Sequence, residues 1–167
     1  MTLEFTFKDE KILALESRRK IYTLVKECAG SHYRELERKS RMAPGTFKYH
    51  ISYLVKYGLL STQREGKHRR YFPKELKIES MKILGLLRQK SLREIMLFLL
   101  TNEGCTHEKI VSSVNLSPST VSWHLKRLET SGTVGFDRSG RKTRYSIISD
   151  KNEIVKVLIA YKESFLD

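Results

Sequence analysis

Two groups of cationic side chains carry the most evident chemistry in this 167-residue chain. Arg64, Lys67, His68, Arg69 and Arg70 crowd around Gly66, and Arg138, Arg141, Lys142 and Arg144 crowd around Gly140. A guanidinium group presents a rigid fork of donors that matches phosphate oxygens, and it also suits a narrow, electronegative groove. A second set is polar and lies at helical spacing: Thr46, Lys48, Tyr49, Ser52, Tyr53 and Lys56, then Ser119, Thr120, Ser122, Trp123, Lys126 and Arg127. Hydroxyls, rings and cations on one helix face can enter a major groove and touch bases or phosphates. Both sets offer recognition chemistry rather than bond-making chemistry.

The sets recur because the chain repeats itself. With a shift of 74 residues and no gaps, positions 18–73 fall on 92–147, and twelve of the fifty-six pairs are identical. Roughly three or four identities are expected between unrelated segments. The matched pairs include Gly30 with Gly104, Pro44 with Pro118, His50 with His124, Gly58 with Gly132, Arg70 with Arg144 and Tyr71 with Tyr145. Glycine, proline and helix-face leucine have structural jobs, so the chain is one module used twice.

The elements that position the two sets follow from apolar spacing and punctuation. Ile12, Leu13, Leu15, Ile21, Leu24 and Val25 predict one amphipathic helix ending at Gly30. Ser31 then reads as the N-cap of a short helix over 32–41. Pro44 suits the first turn of a third helix that buries Phe47, Ile51, Leu54 and Val55 and stops at Gly58. Strands are expected at 59–63 and 70–72, joined by the basic turn 64–69. The second copy repeats the plan with helices over 95–100, 106–114 and 117–130 and a hairpin of 134–137 with 143–148. Residues 75–89 predict a linker helix, and Ile154, Val155, Leu158, Ile159, Tyr161 and Phe165 mark an apolar face of a C-terminal helix over 152–165. The expected fold is mostly α with small β-hairpin wings (α+β): two tandem winged helix-turn-helix domains, 1–74 and 91–149, a linker helix over 75–90 and a C-terminal helix over 150–167.

Within the second copy, Ser117, Val121, Ser122, His124, Leu125, Leu128 and Gly132 resemble the recognition-helix pattern of the ArsR/MarR-type winged-helix transcriptional regulators. Pro44 through Leu60 resembles the same element in archaeal tandem winged-helix regulators. The resemblance covers about 110 residues. It implies that the recognition helices enter the major groove of double-stranded DNA and that the hairpin tips reach backbone or minor groove. It also implies a terminal helix that commonly pairs with its symmetry mate, so a homodimer through the C-terminal helix is one expected partner, and basal transcription machinery another. A covalent tandem already supplies two recognition helices, so one chain can read one site alone. A winged-helix protein-docking module is the alternative function.

Composition bounds the rest. The net charge is +13, with 18 Lys and Arg against 9 Asp and Glu in residues 1–78, and 14 against 10 in residues 79–167. Such an excess attracts a polyanion, nucleic acid or an anionic membrane surface, and the first copy should grip phosphate harder. His50 and His124 lack a second ligand one turn away, and Cys28 with His32 and Cys105 with His107 fall short of a ligand set, so no metal and no cofactor is expected. The paired cysteines of the metal-sensing ArsR members are not present. No phosphate loop, nucleophile elbow or zinc-protease helix occurs, and an enzyme is not expected. The opening MTLEFTFKDE lacks a secretion leader, and no apolar run approaches about 18 residues, so a cytoplasmic protein without membrane contact is expected. Only five Asn and Gln beside 31% charged residues suggest a hot environment.

Overall fold

The computed structural model describes residues 5–138 and 140–165, and it is mostly helical with small antiparallel hairpins. In order it runs α1 (Phe7–Leu13), α2 (Glu16–Glu27), α3 (Tyr33–Ser40), α4 (Pro44–Lys56), β1 (Leu60–Glu65), β2 (His68–Pro73) and α5 (Ile78–Leu87). It continues with α6 (Lys90–Thr101), β3 (Cys105–Thr106), α7 (His107–Ser113), α8 (Pro118–Thr130), β4 (Val134–Asp137), β5 (Arg144–Ile147) and α9 (Lys151–Ala160), then a 3-10 turn, Lys162–Phe165. Two compact units result. One holds the described residues up to Leu84 and again from Tyr161, and the other is Gly85–Ala160.

The 74-residue repeat is a repeat of core positions. Ile21, Val25, Leu36, Phe47, Ile51, Leu54 and Leu60 are buried in the first unit. Their counterparts Ile95, Leu99, Ile110, Val121, Leu125, Leu128 and Val134 are buried in the second. In each copy three helices enclose this core and a hairpin closes it, β1 with β2 and β4 with β5. A short strand before the second helix joins the sheet: Cys105 and Thr106 pair with β5, and His32 makes the equivalent single bridge to Arg70.

Several elements differ from expectation. The helix expected over 12–25 is two, broken at Ala14 and Leu15, where Leu15 is extended and its carbonyl accepts from the N–H groups of Arg18 and Arg19. His32 rather than Ser31 is the N-cap residue of α3, because the Ser31 carbonyl accepts from the Tyr71 N–H, the neighbouring Gly30 N–H donates to the Tyr71 carbonyl, and Ser31 is fully buried. The first hairpin is tighter than a six-residue turn. Glu65 pairs with His68, leaving only Gly66 and Lys67 in the loop, with positive φ at Gly66 alone, as in a II′ turn. The C-terminal helix ends at Ala160, and in the turn that follows the Ser164 hydroxyl donates to the Glu27 carbonyl at 2.7 Å.

Both recognition helices stop in the same way. Leu59 N–H returns to the Leu54 carbonyl and Gly58 N–H to the Val55 carbonyl, at 2.9 and 3.1 Å. Thr133 and Gly132 repeat the pair on Leu128 and Glu129, at 3.0 and 2.9 Å. This is the Schellman arrangement, and it requires left-handed backbone at Gly58 (φ 79°) and Gly132 (φ 74°). An added Cβ would meet nothing within 4 Å at either site, so its cost comes from the backbone alone. Gly58→Ala or Gly132→Ala is expected to lower stability by about 1 kcal/mol, read as a denaturant midpoint shift, with an unchanged midpoint arguing against the cap.

Candidate nucleic-acid interface

The recognition helices are set by punctuation and by one buried edge. Pro44 and Pro118 open α4 and α8, and Ser117 caps the second through the Thr120 amide at 3.2 Å. Phe47, His50, Ile51 and Leu54 are buried along α4, as are Val121, His124, Leu125 and Leu128 along α8. Spacing of three and four residues then turns the intervening positions outward.

On α4, Thr46, Lys48, Tyr49, Ser52 and Lys56 are exposed and Tyr53 is half-buried. Lys48, Tyr49, Ser52, Tyr53 and Lys56 line one shallow hollow together with Gly45 and Tyr57, whereas Thr46 lies outside it. Tyr49, Tyr53 and Tyr57 form a ladder at i, i+4 and i+8, with ring centroids 6.3 and 4.3 Å apart. The Arg18 guanidinium sits 3.6 Å over the Tyr53 ring, fixing the middle rung. Tyr57 and Arg18 were not among the expected residues, yet the four-residue spacing from Tyr53 to Tyr57 was legible.

On α8, Ser119, Ser122, Trp123 and Lys126 are exposed. Trp123 is 61% exposed and occupies the position of Tyr49, 59% exposed, so neither ring closes the core. Other polar groups of α8 already have partners. Thr120 and Ser117 hydroxyls are 2.7 Å apart, and the Ser122 hydroxyl donates to the Pro118 carbonyl at 3.0 Å and lies 2.8 Å from His107 Nε2. Arg127 is half-buried and donates to the Gln89 side chain at 2.8 Å, while its guanidinium lies 5.9 Å from the Trp123 ring.

At the wings, Arg64, Lys67, His68 and Arg69 are exposed, as are Arg138, Arg141, Lys142 and Arg144. Arg70 is not. It is 6% exposed, its Nε and Nη2 each reach Glu65 Oε2 at 2.7 Å, and its Nη1 donates to the Gly30 carbonyl at 2.7 Å. Its guanidinium is committed inside the first unit, which departs from the reading of Arg70 as a wing contact. Arg144 repeats the last bond at its own repeat position, donating to the Gly104 carbonyl at 3.0 Å, but stays exposed. The identity of both Gly30 with Gly104 and Arg70 with Arg144 therefore reflects a shared tie between the return strand and the turn after the first helix of each copy.

Beneath each exposed aromatic lies a buried histidine. His50 and His124 meet the edges of Tyr49 and Trp123 at 5.0 and 4.9 Å, and Nδ1 of each is enclosed without a partner among the described residues. Burial first, then the cations Arg18 and Arg127, pull the two imidazoles below the ordinary 6.5. The charged form of each is thus disfavoured in the folded state. Below pH 6.5 the unfolded chain takes up protons that the folded one resists, so this contribution to stability is present above that pH and lost as pH falls. NMR ring titrations are expected to place both midpoints below 6.5, and midpoints at or above it would contradict the enclosed environment. Among the described residues no group of three His, Cys, Asp or Glu converges as a metal site would, and Cys28 and Cys105 are free thiols. No helix among the described residues is long and apolar enough to cross a membrane.

Each copy matches a family model. Residues 15–81 match a family described as the HVO_0163 N-terminal HTH domain, and residues 81–134 match one described as winged helix-turn-helix DNA-binding. An uncharacterised HTH-type transcriptional regulator of Methanocaldococcus jannaschii, MJ1398, is 29% identical over 139 residues. That alignment takes in 83% of this chain and 35% of the relative, so the chain spans about a third of the relative's length. Among solved structures, HlyU from Vibrio cholerae N16961 is 25% identical with a TM-score of 0.44, covering 52% of this chain and 99% of its own. A chain of the ESCRT-II endosomal trafficking complex is 13% identical with a TM-score of 0.36, covering 87% and 96%. With a recognition helix and a hairpin wing built twice on one repeated core, and each copy matching a helix-turn-helix model, the chain folds as two tandem winged helix-turn-helix domains.

Proposed function

We propose that the chain is a sequence-specific, double-stranded DNA-binding transcriptional regulator. In this reading the exposed faces of α4 and α8 occupy the major groove and the wing cations hold backbone or minor groove. One observation carries it: an exposed aromatic, Tyr49 or Trp123, stands at the same position of each recognition helix, beside a cation-tipped wing, in a chain of net charge +13. An aromatic exposed at matching places in two copies does not close the core, and its outer face offers a base or sugar a surface to stack on. Specificity divides unequally between the copies. On α4, Lys48, Tyr49, Ser52 and Lys56 are exposed to meet bases, whereas on α8 the hydroxyls of Ser119, Thr120 and Ser122 already have partners and Lys126 lies 3.6 Å from Glu129, leaving Trp123 as the outward anchor. Sequence selection from a random duplex library tests this. Replacing Lys48 and Tyr49 is expected to alter the preferred sequence in one half of the site, and replacing Trp123 in the other. An unaltered preference after both exchanges would argue against base reading by these helices.

A further inference from the structure

The first unit carries a cation-rimmed cleft. It lies between the start of α3 and strand β2, and its volume is about 630 Å³, within the range of small-molecule sites. Four cations rim it: Arg34 and Arg38 from the helix, Lys67 and Arg69 from the hairpin. All four are exposed and none makes an ion pair among the described residues. Glu35, the acid in the lining, pairs with Lys39 at 2.9 Å.

Rings supply the rest of the wall. His32 and His68 lie 5.3 Å apart between centroids, tilted by 56°, and Tyr33 and Tyr71 lie 6.4 Å apart, tilted by 53°. Cations and aromatic rings in one lining suit a ligand that joins several phosphates to a flat heterocycle.

The repeat acts as an internal control. The fold is the same in the second unit, yet Glu108 stands where Arg34 does, Ser112 where Arg38 does and Thr143 where Arg69 does. The wing-and-helix scaffold therefore does not require this cation set, and a backbone contact common to both copies would be expected to keep it. We propose that the cleft between α3 and β2 binds a nucleoside polyphosphate, with Arg34, Arg38, Lys67 and Arg69 on the phosphates and the ring wall on the base. Occupancy would take Lys67 and Arg69 away from the duplex, so the ligand would weaken DNA binding. That consequence rests on the wing reading above, whereas the binding itself does not.

The test is calorimetric titration of the full chain with ATP, GTP and inorganic triphosphate, without DNA. Both nucleotides are expected to bind, with triphosphate weaker. Arg34→Glu with Arg38→Glu should lower nucleotide affinity at least tenfold while leaving the thermal melt and the affinity for duplex within about twofold. Arg138→Glu with Arg141→Glu, in the other unit, should leave nucleotide binding unchanged. The proposal is overturned if neither nucleotide binds the parent, if inorganic triphosphate binds as tightly as ATP, or if the two pairs of reversals weaken ATP equally. It is likewise overturned if reversing Arg34 and Arg38 weakens duplex as much as nucleotide, which would assign the cleft to the DNA backbone.

Discussion

Arg70→Met is expected to destabilise the first unit by about 3 kcal/mol while leaving the affinity of the folded protein for duplex DNA nearly unchanged. The side chain is buried, and its guanidinium satisfies the Glu65 carboxylate and the Gly30 carbonyl, all at 2.7 Å. Removing it takes two close donors from a carboxylate that is itself only about a third exposed, with His32 Nε2 still 3.7 Å away, and takes the guanidinium donor from the Gly30 carbonyl. Breaking one partner of such a pair costs more than the pair contributes, because the remaining charge loses its compensation. Arg144→Met removes a single bond from an exposed side chain and should cost about 1 kcal/mol. Amide exchange at Ile21, Val25 and Leu54 reports the first unit separately from the second, and should show the larger loss for Arg70. A variant at Arg70 that is as stable as the parent but has lost DNA binding would return that guanidinium to the wing.

The second large effect concerns the cations that do face outward. Reversal of Lys67 and Arg69 in the first wing, or of Arg138 and Arg141 in the second, should weaken binding to all duplexes alike, by about 100-fold near 100 mM salt. Each phosphate contact adds close to one unit to the salt slope, so either pair should flatten that slope by about two. Preference among sequences should survive, because phosphates position the protein without reporting base identity. Electrophoretic titration against several unrelated duplexes checks this. A loss confined to one duplex would transfer these side chains from backbone to base contact.

How much of this was legible depended on whether a residue's role was local. The recognition helices were readable because proline at the first turn and glycine past the last are fixed by backbone conformation, and both copies carry them. The duplicated core was readable from the shift of 74 for the same reason. Arg70 was misread because a cation beside a glycine turn looks solvated, and its burial depends on which face of β2 it occupies. The signal was present, however. Arg70 lies two residues from Phe72, which is fully buried, and period-two alternation places both on one face of a strand. The break between α1 and α2 carried no such mark, since Ala14 and Leu15 are neither breakers nor caps. The cleft of the first unit was also hidden, because its cations come from segments about 30 residues apart and only the fold brings them together.

The central claim is that both wings and both recognition helices lie against a duplex, and the salt dependence of binding tests it most directly. Exposed wing cations number three Arg or Lys in the first wing, Arg64, Lys67 and Arg69, and Arg138, Arg141 and Lys142 at the tip of the second. If these six meet phosphates, the logarithm of affinity should fall against the logarithm of salt with a slope of about −5, a loss of about 10³ between 50 and 200 mM. A slope near zero, with affinity for duplex unchanged across that range, would contradict the account and leave the tandem domains as surfaces for another protein.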